Sequence, residues 1–511
     1  MILRTKVGAK SVQSRCKVGG GAISERRKSE RKAKEERRNT IGICTFWGFI
    51  WLFQKFGVHL HRIWKSKLKK RNLNIRMNLK LRLIIMNYLE FAVWGAYLTS
   101  MGSYLAEAGF GSIIGWFYSI QGVVSLFMPG IMGIVADKWV PAQKLLSLCH
   151  LVAGLFMGAT GFYGMTSGCE IGMLFTLYAF SVAFFMPTIA LSYSVAFNAL
   201  ATNGYDTVKI FPSIRIFGTI GFICTMVAVD LLGFQTSSKQ FVVSAALSLL
   251  LAAYSLTLPA SPVKEQEADK SSPLLVRIFG LDSFKLFKKK KMAIFFVFSM
   301  FIGVCLQITN GYANPFITSF KDVAEYADTF CAQHANILIS LSQISETCCI
   351  LLIPFCLKKF GIKKVMMIAI LAWVLRFGLF GLGDTGSGLW MLVLSCIVYG
   401  VAFDFFNISG ALFVDQNTDA DTRSSAQGLF MMMTNGFGAT VGTLSAQAVV
   451  NTFVYDEGVT DALAGWRTSW FIFAGYALVL LVLFGIIFRP KRPLTRPTDT
   501  LSPKGEGKVS I

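Results

Sequence analysis

The sequence predicts an all-α membrane protein: twelve transmembrane helices in two pseudo-symmetric six-helix bundles. Three observations carry that prediction. Of the 511 residues, 54% are hydrophobic and only 15% charged, a composition too apolar for a soluble globule. Twelve stretches are long and apolar enough to cross a bilayer, for which about 20 mostly apolar residues suffice. One long hydrophilic stretch, residues 261–291, sets six of them apart from the other six.

Taken in chain order, spans 1 to 6 fall at about 81–104, 113–135, 145–165, 171–196, 215–234 and 241–260, a first bundle over 77–260. The stretch 261–291 contains Lys-Glu-Gln-Glu-Ala-Asp-Lys and ends in four consecutive lysines, so it reads as a cytoplasmic linker. Spans 7 to 12 fall at about 292–316, 335–357, 363–382, 389–414, 425–450 and 467–488, a second bundle over 292–488 followed by a tail, 489–511. Loops after even-numbered spans are basic: Lys138 and Lys144, then Lys209, then eight Lys/Arg from Lys264 to Lys291, then Lys358, Lys359, Lys363 and Lys364. The opposite loops hold Glu107, Glu170, Asp322, Glu325, Asp328, Asp384, Asp456, Glu457 and Asp461. Basic loops stay in the cytoplasm, so both termini are expected inside.

Most of the net charge of +22 sits at the start. Residues 1–76 carry 21 Lys/Arg against 4 Asp/Glu, the rest only 29 against 24. A basic block binds nucleic acid or anionic lipid, or is a solvated appendage. Met77-Asn-Leu-Lys-Leu-Arg-Leu is itself a compact start directly before span 1, so 1–76 are expected to be a basic extension, disordered or not natively translated. Its apolar patch Ile41–Phe53 is too short to span. No Cys-x-x-Cys occurs among the eleven cysteines, which read as small polarizable core residues. Cys169 and Cys331 both fall near outer loops, without a spacing that argues for a bond. No metal-spaced cluster and no Gly-x-x-x-x-Gly-Lys-Ser/Thr loop is present, so metal chemistry and ATP drive are not expected. The chain is expected to be neither an enzyme nor a nucleic-acid binder, to need no cofactor, and to be a monomer.

Function should reside in the polar residues inside the spans. Asp404 stands in the apolar run Leu392–Val414, where a charged carboxylate is costly and marks a functional site by default. Binding a proton neutralises it, which makes it a meeting point for proton and cargo. Gln343 and Glu346 lie three apart on one face of span 8, either an interhelical hydrogen-bond pair or a cavity lining. Gln307 and Asn310 repeat that spacing in span 7. Arg215, Thr219 and Phe222 form one stripe of span 5, unless Arg215 snorkels to headgroups. Tyr399 and Phe403 adjoin Asp404 and either pack or offer a face for stacking a ring. Arg376 reads as a structural or outer-interface arginine and His150 as core packing.

The two halves echo each other. Gly133-Ile-Val-Ala-Asp137-Lys138 follows span 2, and Leu357-Lys-Lys-Phe-Gly361-Ile-Lys-Lys364 follows span 8. Gly-x-x-x-Asp-Lys at 133–138 resembles the signature loop of the major facilitator superfamily. Longer stretches resemble the nucleoside:proton symporters within it: Leu89–Gly95, Arg215–Phe222, Leu306–Asn310, Ile339–Glu346, Tyr399–Ser409, Ala426–Gly428 and Met431–Gly436. The resemblance runs from Met77 to about Arg489. It implies the major facilitator fold and a bacterial inner-membrane importer that binds nucleosides and protons between two rocking halves. Arg215, Thr219, Phe222, Gln307, Asn310, Gln343, Glu346, Tyr399, Phe403 and Asp404 would contact the nucleoside, with the proton on Asp404, Glu346 or a coupled pair. Gly133, Asp137 and Lys138 would stabilise one conformation. Glu90 stands where that pattern often has an amide. A sugar or polyol carrier and a non-transporting sensor are the competing readings, since amides and acids also suit hydroxyl-rich ligands.

Overall fold

The computed structural model describes residues 73–260, 281–418 and 423–489. Nearly all of the expected basic extension, most of the linker and nearly all of the tail lie outside the described residues.

Each of the twelve predicted spans has a helical counterpart, and the described residues hold no strand. Eight helices are by themselves long and apolar enough to cross a bilayer. The remaining spans depart from a plain helix, for local reasons. Span 1 is Leu73–Gly95, a turn, and Met101–Glu107. The backbone groups released at that turn are met by one side chain, since Tyr118 donates its hydroxyl to the Leu98 carbonyl at 2.6 Å and accepts from Gly102 N–H at 3.3 Å. Span 6, Lys239–Ser255, is 17 residues long. Span 8, Ala335–Ile350, is succeeded after two residues by Ile353–Leu382, within which Gly361 takes φ 76° and ψ 163°. Only glycine occupies that region readily, so the turn between spans 8 and 9 is made there. Span 11 runs Arg423–Met431, a π-helical segment Met432–Phe437, then Gly438–Val450.

The packing pattern repeats with a shift of six spans. Spans 3 and 6, 3 and 4, and 2 and 4 pack in the first half; 9 and 12, 9 and 10, and 8 and 10 pack in the second. Between the halves the main pairs are 2 with 11 and 5 with 8, which interconvert under the same shift, and span 7 also touches span 2 and the Met101–Glu107 piece of span 1. Two six-helix bundles related by a pseudo-twofold axis produce such a list.

Glycine sets the closest crossings. A Cβ at Gly95 would stand 2.4 Å from the Phe222 carbonyl oxygen, and one at Gly221 2.2 Å from that of Tyr88. Spans 1 and 5 therefore meet backbone to backbone, as small residues permit between membrane helices. That contact seats Phe91 and Trp94 of span 1 against Arg215 and Phe222 of span 5.

Hydrogen bonds between the halves gather at one end, the one that holds Glu107, Leu231 and Ala335. Thr99 donates to Asn336 at 3.0 Å, Ser103 pairs with Asn314 and Thr318, and Gln447 reaches Gly111 O and Gly115 N–H. Asp230 of span 5 accepts from Ile337 N–H at 3.0 Å and lies 2.8 Å from His334 Nδ1. The structure is closed where the acidic loops are.

Candidate functional site

Span 5 supplies the first half's share of the candidate site. Arg215 is kept off the membrane surface by its neighbours. Its Nε donates to the Tyr193 hydroxyl at 2.7 Å, Nη1 to Thr219 Oγ1 at 3.4 Å, and the guanidinium sits 3.9 Å from the centroid of the Phe91 ring. The i, i+4 spacing that put Arg215 and Thr219 on one stripe is thus a side-chain contact. Phe222 is buried and meets Trp94 edge-on at 6.4 Å. Trp94 in turn donates to Gln121, which donates to Tyr178. Phe91, Trp94 and Tyr193 are parts of the wall that spacing alone did not single out. The cue lies in Leu89–Gly95, where aromatics flank the glycine of the crossing.

The second half supplies spans 7, 8 and 10. Asn310 donates to Gln307 at 3.4 Å. Tyr399 and Phe403 stack with ring planes 6° apart and centroids at 5.8 Å, and Trp373 closes on Tyr399 at 88°. Span 10 comes this close to span 8 because Gly400 has no side chain; a Cβ there would stand 2.5 Å from the Ser345 carbonyl.

Charge concentrates at the meeting of the walls. Arg215 from the first half acts electrostatically on Glu346 and Asp404 from the second, and the two carboxylates act on each other. Asp404 is 5% exposed, and its Oδ2 has no hydrogen-bond partner. Glu346 is more open, half-buried against the cleft. The ten predicted contacts are thereby distributed over spans 5, 7, 8 and 10, with Arg215 acting on Glu346 and Asp404 through space and, among the described residues, without a direct ion pair. Gly133, Asp137 and Lys138 lie elsewhere, in the last turns of the Ile114–Lys138 helix; the side chains of Asp137 and Lys138 are outside the described residues.

Glu90 and His150 stand apart from the cleft and bond to each other. His150 Nε2 is 2.9 Å from Glu90 Oε2, Thr188 donates to Glu90 Oε1 at 2.6 Å, and His150 Nδ1 is 3.0 Å from Ser248 Oγ. Glu90, His150, Thr188 and Ser248 are buried and tie spans 1, 3, 4 and 6 together. His150 is a core residue as expected, though held by polar bonds rather than by packing alone. Arg376 is fully buried, which decides between its two readings in favour of an interior position over the outer interface. Cys169 and Cys331 are both free thiols.

Against this geometry, comparison with known proteins is direct. The family model described as "Nucleoside H+ symporter" matches residues 77–493. The chain is similar to xanthosine permease of Escherichia coli, 48% identical over 417 residues, which is 81% of this chain and 96% of that one. It is similar to nucleoside permease NupG of the same organism, 47% identical over 429 residues, 83% of this chain and 99% of that one. A crystal structure of nucleoside transporter NupG superposes with TM-score 0.73 at 45% identity, covering 81% of this chain and all of that chain.

Proposed function

The chain belongs to the nucleoside H+ symporter family, and on that premise we propose that it imports nucleosides with protons by alternating access, binding cargo between its two halves. It is a multi-pass membrane transporter and not an enzyme. The proposed location is the bacterial inner membrane with both termini in the cytoplasm, on the strength of the charge pattern of the loops.

One observation supports the reading most: a cation from one half and two carboxylates from the other converge on a cleft lined by amides and stacked rings. Arginine keeps its charge throughout. One carboxylate balances it, and the second is surplus charge withdrawn from bulk water. A proton removes that surplus. Asp404, whose Oδ2 has no protein partner, is the first candidate for the proton and Glu346 the second. Tyr399 and Phe403 would stack a nucleobase, while Gln307, Asn310 and Gln343 exchange hydrogen bonds with ring and ribose. Proton and nucleoside together neutralise and fill the cleft, which lowers the cost of exchanging one closed end for the other.

Uptake of labelled uridine at two external pH values tests this. The wild type should accumulate it against a gradient, faster at acid pH, and an uncoupler should abolish accumulation. Asp404→Asn should lose proton-driven accumulation while still exchanging uridine down its gradient. Undiminished, proton-sensitive accumulation by that variant would remove Asp404 from the role. Competition by free sugars but not by nucleosides would overturn the choice of cargo.

A further inference from the structure

Among the described residues, Arg376 is the one strongly buried cation that the mechanism above leaves without a task. It projects from span 9 and is wholly enclosed. Its Nε donates to Thr309 Oγ1 at 3.3 Å, and Nη1 to Ser342 Oγ at 3.4 Å and to the Ser395 carbonyl at 2.8 Å. The guanidinium carbon stands 4.6 Å from the Tyr399 ring centroid and 5.0 Å from that of Phe380. Nη2 has no partner. Among the described residues Arg376 forms no ion pair.

A purely structural arginine at this depth is expected to be fully satisfied, because an unmet donor on a buried charge is costly. The guanidinium offers five N–H groups in a fixed plane, and both on Nη2 are unspent. Arg376 also lines the same cleft as Asn310, Gln343 and Tyr399, three of the proposed cargo contacts, together with Thr99, Thr309, Ile339 and Ser342. Thr309 and Ser342 hold the guanidinium from residues directly beside Asn310 and Gln343 in sequence. The cation is therefore held in a fixed plane, at the wall of the small cavity that Asn310, Gln343 and Tyr399 also line.

Resting on the nucleoside reading, we propose that Arg376 is a further substrate contact, whose Nη2 donates to an oxo group on the nucleobase and so sets which bases bind well. A ligand atom at Nη2 has to be an acceptor, and a cationic donor favours the electron-rich oxygen of a lactam most. Uracil and hypoxanthine carry such an oxygen beside a ring N–H, which the Gln343 or Asn310 amide oxygen would accept. Adenine presents an amino group on the corresponding edge, and donor facing donor forfeits the bond. The selectivity is thus between oxo and amino bases rather than between purines and pyrimidines.

Initial-rate uptake of uridine, inosine, cytidine and adenosine by wild type, Arg376→Lys, Arg376→Gln and Ser342→Ala tests the proposal, with membrane abundance measured alongside. Arg376→Gln should raise KM for uridine and inosine at least tenfold and for adenosine less than threefold, with cytidine, which has one oxo group, in between. Arg376→Lys keeps the charge without the fork, so its effect should be smaller with the same order. Ser342→Ala, which loosens the guanidinium without removing it, should raise KM for uridine and inosine by about threefold and leaves the proposal testable if Arg376→Gln fails to reach the membrane. Equal KM changes for all four nucleosides, or a fall in abundance and Vmax alone, would overturn it. Failure of the wild type to take up any of the four would sink the nucleoside reading itself, a result separable from the variant pattern.

Discussion

Replacing Asp230 by asparagine should loosen the closed end by an amount the structure allows one to work out. Asp230 is 1% exposed and bridges the halves twice, accepting from Ile337 N–H at 3.0 Å and facing His334 Nδ1 at 2.8 Å. Its two oxygens are each committed, one to each partner. A carboxamide keeps one oxygen for the Ile337 amide, its NH2 meets an acceptor at His334 Nδ1 only if the imidazole changes tautomer, and the charge that strengthened both bonds is lost either way. Hydrogen bonds to charged groups contribute about 1.5–3 kcal/mol, and removal of one partner leaves the other unmet. A loss of about 2 kcal/mol specific to this conformation shifts its population against the opened one roughly 30-fold. Spin labels at the exposed positions Glu107 and Glu325, one on each half, would read the shift in a cysteine-depleted background by double electron–electron resonance. The longer-distance population should grow at least tenfold in Asp230→Asn, with the total stability of the protein little changed. A distance distribution that matches the wild type would refute the idea that this pair holds the halves together.

Two further substitutions probe the frame behind the cleft. Gly221→Val places side-chain atoms where the Tyr88 carbonyl stands 2.2 Å from a Cβ; forcing spans 1 and 5 apart should cost about 1–3 kcal/mol and raise the KM for uridine by displacing Phe91 from Arg215. An unchanged KM with full abundance would show that the crossing does not position Arg215. Glu90→Ala strips two buried partners, His150 and Thr188, of their acceptor and should destabilise the first half by about 3 kcal/mol, read as a lowered melting temperature in detergent. Glu90→Gln keeps an oxygen for Thr188 and should recover most of that loss, and equal melting of the two variants would argue against the network.

Legibility differed with the range of the interaction. Span number, order and the six-by-six division could be read because hydrophobic runs of bilayer length are a one-dimensional property. Breaks inside spans could not: nothing local distinguishes Ala96–Ser100 from helix until Tyr118, twenty residues on, arrives to bond Leu98. Arg215 and Thr219 were placed on one stripe by spacing, but whether the arginine snorkelled outward or pointed inward depended on Phe91 and Tyr193, contributed by other spans. Glu90 and His150 are separated by 60 positions, so their bond is invisible as sequence and each was weighed alone. The two readings of Arg376 stay undecided in sequence for the same reason. An arginine six residues from the end of Ile353–Leu382 has the position of an interface residue, and only the packing of spans 7, 8 and 10 around it shows that it is enclosed.

The π-helical segment Met432–Phe437 has an effect beyond its own turn. Such a turn holds one residue more than an α-helical path of the same height, so everything downstream in span 11 is rotated by about 100° from where an unbroken α-helix would aim it. Gln447 lies downstream, and its contacts with Gly111, Gly115 and Tyr312 exist only at the rotated setting. Deleting one residue from this segment would restore a regular helix and swing that glutamine away from its partners. The seam at spans 2 and 11 is in this sense spelled in phase, by a single surplus residue, as much as in the identity of the side chains that meet there.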